Sequence, residues 1–345
     1  MEENEALSAK ARAMFGKRLQ TDDYEALLQK KTIGEIVTYL RNDTLFVNTL
    51  SGVNEKAVHR GQLEVLLRLS LYERLNRLLR YGGAHAAEFL VGACMNTEID
   101  MILLCIRSLM NHDETMRSQM ITEMPLYMEK YMTVDLHQLA HVESYDELYE
   151  LLADTPYSAI MRKYSGRPVE EIDLVGMEYD LRRSYFQRMY QQASAIASGE
   201  TLQTLQKLVR MQAELNSLAV IYRLKKYFQA DPQIIRQSII PVQCLFSERE
   251  INELIENATG DEVADAITRR YHHYVKSTRF TYIENFTERI MKNVYYSAME
   301  TNPDASVVLI SYMHLSRMEI RNIINIVEGV RYGISNDRIR TLLVY

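Results

Sequence analysis

The chain has 345 residues, 47% hydrophobic and 25% charged, with a formal net charge of −6. That balance excludes a disordered chain, and the acidic surplus argues against a protein that coats nucleic acid, which carries excess positive charge. With only 13 Gly and 6 Pro, helix breakers are sparse, alternating strand patterns with Asn-Gly or Asp-Gly turns are missing, and the expected fold class is all-α.

Taken in chain order, the elements repeat. Asp22-Asp23-Tyr24-Glu25-Ala26-Leu27-Leu28, followed by Thr32, Ile36 and Tyr39, reads as a short helix, a turn and a second short helix, with Thr32 as N-cap. A long amphipathic stretch from Leu63 to Tyr81 follows, ended by Gly82-Gly83. Then comes a helix headed by Glu98, whose Ile99, Ile102, Leu103 and Ile106 form one apolar face. The same series returns: Tyr145 to Thr155, a long stretch from Glu178 to Tyr190, and Glu214 with Leu215, Leu218, Ala219 and Tyr222. It returns again as Glu250 to Thr259, Phe280 to Tyr296, and Glu319 with Ile320, Ile323, Ile324 and Val327. Breakers at Ser165-Gly166-Arg167-Pro168, Ala230-Asp231-Pro232 and Asn302-Pro303-Asp304 punctuate the series. Three helical units are expected, at 1–115, 116–232 and 233–345, packed as one body.

Reactive chemistry is hard to find. No phosphate-binding loop, dinucleotide fingerprint or nucleophile elbow is present. His137 and His141 share the i, i+4 spacing of a zinc pair, but Gln138 stands where a metalloprotease has its Glu, and no third ligand is evident. His272 and His273 diverge on a helix. No metal, cofactor or catalytic residue is therefore assigned. The glutamates Glu98, Glu214 and Glu319 read as first-turn charges favoured by the dipole of their own helices, with Ser316 and Glu319 at capping-box spacing; a functional carboxylate is the less favoured reading. Arg182-Arg183 and Lys225-Lys226 read as solvated faces or contacts for an acidic partner. Cys94, Cys105 and Cys244 form no CxxC pair and are expected as reduced thiols in helix packing. The longest apolar runs fall far short of a bilayer span, and the N-terminal MEENEALSAKARAMF has no apolar signal core, so a cytoplasmic chain is expected.

Several segments together resemble a known family. They are Ala9-Lys10-Ala11-Arg12-Ala13-Met14; the short helices Leu28…Thr32, Leu152…Thr155-Pro156-Tyr157 and Ile255…Thr259; and above all Glu319-Ile320-Arg321-Asn322-Ile323 running to Gly329-Val330-Arg331-Tyr332-Gly333. Over essentially its whole length the chain resembles the C subunit of the bacterial and archaeal A/V-type rotary ATPases, the counterpart of the d subunit in the eukaryotic V-type pump. The repeat itself marks Glu98, Glu214 and Glu319 as a structural signature, with Asn216 and Asn322 nearby in the second and third copies; the first copy is the weaker fit to the family, with Asp100-Met101 there instead. The resemblance implies three similar helical domains around a pseudo-threefold axis, forming a funnel. It also implies a non-catalytic rotor subunit whose partners are the central stalk and the cytoplasmic face of the proteolipid ring, peripheral to the membrane through the complex. The competing readings are a soluble helical adaptor for another partner, disfavoured because units near 110 residues exceed ordinary solenoid repeats, and a helical enzyme using Glu98, Glu214 or the His137/His141 pair.

Overall fold

Side chains that satisfy backbone ends set where the helices of this protein start. In the computed structural model, which describes residues 2–81, 84–113, 129, 131–277 and 279–345, the chain forms sixteen α-helices and no strand among the described residues. Contacts divide it into two compact units, Met1–Ala86 with Gly260–Tyr345, and Ala87–Thr259.

The first unit holds α1 (Glu2–Phe15), α2 (Thr21–Leu28), α3 (Ile33–Asp43) and α4 (Arg60–Leu79). The second begins within α5 (Ala84–Asn111) and continues through α6 (Leu136–Ala140), α7 (Tyr145–Leu151), α8 (Ser158–Tyr164), α9 (Leu174–Ile196), α10 (Gly199–Arg223), α11 (Pro232–Gln237) and α12 (Glu248–Glu256). The chain then returns to the first unit with α13 (Gly260–Arg270), α14 (Ile283–Thr301), α15 (Ala305–Arg331) and α16 (Asn336–Leu342).

In the first unit α15 is the central post. It packs against α1, α2, α3, α4, α14 and α16, and every residue from Val307 to Ser316 is buried. A helix surrounded in this way must be apolar all round rather than on one stripe. In the second unit α10 packs on α9 and buries Leu215 and then Ser217 to Tyr222. Of the twelve apolar positions counted from the three glutamates, eleven are buried and Ile324 is half-buried, as the periodicity requires.

The expected breakers sit where helices change. Thr32 caps α3, its hydroxyl accepting the Glu35 N–H at 3.1 Å. Gly166, at φ 77°, lies between α8 and α9. Asp231 caps α11 with Pro232 in its first turn, and Asp304 caps α15. The Gly82-Gly83 stop and the boundary at 115/116 lie outside the described residues. The three glutamate-bearing helices end alike, on a residue in the left-handed region: His112 (φ 53°), Gln229 (φ 48°) and Gly333 (φ 65°). Before Gln229 a single π-helical turn, Leu224–Phe228, is inserted.

Candidate functional site

The repeated glutamates are not first-turn residues. Each lies in mid-helix, fourteen or fifteen residues beyond the start of α5, α10 or α15. Ser316 likewise lies inside α15 and caps nothing. Each carboxylate is nevertheless at a helix N-terminus, that of a different helix. Glu98 Oε1 accepts the backbone N–H groups of Thr133, in a short bond, and of Val134 at 3.3 Å; Oε2 accepts the Thr133 hydroxyl at 3.1 Å. Val134 directly precedes Asp135, the N-cap of α6. Glu214 accepts the N–H groups of Cys244 (2.5 Å), Leu245 (2.9 Å) and Phe246 (3.1 Å), and Phe246 directly precedes Ser247, the N-cap of α12. Glu319 accepts the N–H of Leu19 at 2.8 Å, which directly precedes Gln20, the N-cap of α2.

Glu98 holds the approach to α6, Glu214 the approach to α12, and Glu319 the approach to α2. All three side chains are buried, at 1%, 0% and 6% exposure. A buried carboxylate costs several kcal/mol unless its charge is met by donors; backbone N–H groups at the positive end of a helix meet it, with hydrogen bonds to a charged group contributing about 1.5–3 kcal/mol each.

Further groups complete two of the sites. Tyr157 donates its hydroxyl to Glu98 Oε2 at 2.5 Å; burial, and then the Glu98 charge, push its pKa up, so it stays a donor. At Glu319 the extra partner is Arg74 Nη1, 3.1 Å from Oε2, with its guanidinium 5.5 Å from the Phe46 ring centroid. Phe46 and Tyr157 occupy equivalent turns. The Thr44 hydroxyl donates to the Leu40 carbonyl and accepts the Phe46 N–H; the Thr155 hydroxyl donates to the Leu152 carbonyl and accepts the Tyr157 N–H. Thr155 is thus the counterpart of Thr44 rather than of Thr32, and α6 rather than α7 matches α2 and α12. In the second copy the role of Thr32 falls to Ser144, which caps α7.

The asparagines need a similar shift of register. Asn322, three residues after Glu319, clamps Val344, donating to its carbonyl at 2.8 Å and accepting its N–H at 2.9 Å. The residue three after Glu214 is Ser217, not Asn216. Ser217 clamps Ile240, donating to its carbonyl and accepting its N–H, both at 3.0 Å. Asn216 lies on the exposed face of α10. Serine does with one hydroxyl what asparagine does with an amide, so the two share no lettering; the common +3 position is the signal that links them.

Other candidates have structural partners. Arg182 donates to Asn96 (2.6 Å) and Asp100 (2.5 Å) and Arg183 to the Ile239 carbonyl (2.9 Å), so this pair is not a solvated face; Asp100, where the first copy departs from the signature, is used here. Lys225 and Lys226 belong to the π-helical turn. His137 contacts Glu129 at 3.3 Å and His141 Nδ1 lies 2.7 Å from the His137 carbonyl. Cys94 and Cys105 are buried thiols and Cys244 is a half-buried thiol. Burial, and then Glu214, push the Cys244 thiol up to about 11, which keeps it protonated and unreactive at neutral pH.

Against known proteins, residues 7–342 match the family described as ATP synthase (C/AC39) subunit. The C subunit of the A-type ATP synthase of Methanosphaera stadtmanae is similar at 20% identity over 349 residues, covering 98% of this chain and 86% of that protein.

Proposed function

Because the chain belongs to the ATP synthase (C/AC39) subunit family, a structural component of the rotary ATPase, we propose that it is the rotor piece that joins the central stalk to the proteolipid ring during ion transport. In this reading three helical domains, 1–115, 116–232 and 233–345, surround a pseudo-threefold axis as a funnel. The protein sits at the cytoplasmic face of the membrane, held there by the complex; no helix among the described residues is long and apolar enough to cross a bilayer.

The observation that carries the reading is the use made of the repeated glutamates. The residues best placed by repetition to do chemistry instead hold the approaches to other helices through backbone N–H groups, which suits a part that must transmit torque without yielding. Partner contact is supported by aromatic side chains left in solvent. Tyr227 and Tyr332, each thirteen residues after its glutamate, are 63% and 67% exposed, and Phe228 beside the first is 72% exposed. Exposed aromatics at repeated positions suit interface anchors.

The test is photo-cross-linking from Tyr227, Phe228 and Tyr332 in the assembled complex. Adducts with the central stalk or the proteolipid are expected. A chain that never co-purifies with motor or ring would remove the reading.

A further inference from the structure

The first unit carries a half-open pocket of about 220 Å³, whose wall includes Arg18, Gln20, Arg74, Lys292, Tyr296 and Glu319. Pockets for drug-sized ligands run to roughly 300–1,000 Å³, so this one suits a single small group. Its wall is cationic. Among the described residues Glu319 is the only acidic side chain in it, and both its oxygens are already engaged by Leu19 and Arg74.

The cations are under-used. Neither Arg18 nor Lys292 pairs with a carboxylate among the described residues. Arg18 stacks 4.3 Å from the Phe15 ring centroid and 5.4 Å from that of Tyr296, and makes only long bonds, 3.3 Å to the Phe15 carbonyl and 3.4 Å to the Tyr296 hydroxyl. Lys292 Nζ stands 5.6 Å from the Tyr296 ring centroid. Burial, and then Arg18 and Arg289, lower the Lys292 pKa, a cost that an anion alongside would reverse. The Arg74 side chain is 9% exposed and lies beside Tyr312, and among the described residues its Nε and Nη2 have no partner within hydrogen-bond geometry. Gln20 and Thr21, at the start of α2, complete the polar part of the same wall.

We propose that this pocket binds a small oxyanion of the phosphate class, free or as the phosphoryl group of a larger molecule, held by Arg18 and Lys292 with Arg74 supplying buried positive charge. The site goes beyond the rotor role and does not depend on it.

The test is titration calorimetry on the full chain at low salt, with inorganic phosphate in one arm and ADP in the other. Saturable binding is expected in at least one arm, and the stronger arm identifies free ion or phosphoryl group. The double variant Arg18→Gln/Lys292→Gln should weaken it about tenfold or more. Lys17→Gln, an exposed neighbour with no place in the wall and the same charge change as Lys292→Gln alone, should leave it unaltered. If the double variant fails to fold, Lys292→Gln alone serves, with a smaller loss in the same direction. No binding in either arm up to about 10 mM, binding indifferent to Lys292, or equal weakening by Lys17→Gln would overturn the proposal.

Discussion

Glu319 accepts the backbone N–H of Leu19 at 2.8 Å across 300 residues of sequence. The same relationship joins Glu98 to Val134 and Glu214 to Phe246. A carboxylate buried in mid-helix has no reason to be there on propensity grounds; the reason is the unpaired N–H groups ahead of another helix.

Removal of that carboxylate therefore acts on stability. Glu214→Ala removes the carboxylate that accepts three N–H groups, those of Cys244 and Leu245 part-buried and that of Phe246 buried, and should cost about 3–5 kcal/mol. Glu214→Gln keeps one acceptor oxygen but turns an amide donor toward N–H groups, and should cost about 2–3 kcal/mol. Urea denaturation measures both. An isosteric Gln as stable as wild type would show that the charge is not used structurally.

The clamps at the +3 position make a local prediction. Asn322→Ala frees the N–H and carbonyl of Val344, and Ser217→Ala those of Ile240. Each should cost about 1–3 kcal/mol. Hydrogen exchange should show lost protection at the Val344 amide in the first variant and at the Ile240 amide in the second, with the reciprocal site unchanged.

Helix ends supply a stabilising substitution. Gly333 closes α15 in the left-handed region, but Gln229 takes the same conformation after α10 at φ 48°. A side chain with a β-carbon is strained there, by about 1 kcal/mol. Gln229→Gly should raise the melting temperature, while Gly333→Ala should lower it.

His314 sets a pH dependence. It is buried and stacked 4.3 Å from Tyr295, and burial, followed by Arg317, lowers its pKa from 6.5 to about 3. Between these values the unfolded chain binds a proton that the folded chain does not, so stability falls as pH drops below about 6.5. The contribution approaches about 1.4 kcal/mol per pH unit. His314→Phe should flatten the stability profile by that amount between pH 6 and pH 4; an unchanged slope would show that the imidazole charges without cost.

Much of the helical architecture is legible in the sequence, because apolar side chains at i, i+3, i+4 and i+7 leave no other way to be buried. Ile99, Ile102 and Ile106 are all fully buried. The glutamates are visible as a repeat, but their partners are not. A carboxylate's own helix is written beside it in the sequence, whereas Leu19 lies 300 residues from Glu319 and offers only a main-chain N–H, which every residue but proline carries. Likewise the short phrase around Tyr145 matches that around Tyr24 in lettering alone, because acidic-apolar runs are common to all first turns. Only the Thr44 and Thr155 turns, with Phe46 and Tyr157 beneath them, reveal the true register. Arg182 and Arg183 look like surface charge because their acceptors, Asn96, Asp100 and the Ile239 carbonyl, come from other segments.

One compact unit is continuous in the chain, Ala87–Thr259, and the other is made of its two ends. During synthesis the first 86 residues leave the ribosome well before α15, their central post, exists. The continuous unit has all its parts first. The continuous unit can therefore fold before the other has all its parts, and loss of the last helices would leave the segment before Ala87 without the α15 surface it packs on. Such a truncation should be recognised by chaperones and proteases even though the middle unit is intact.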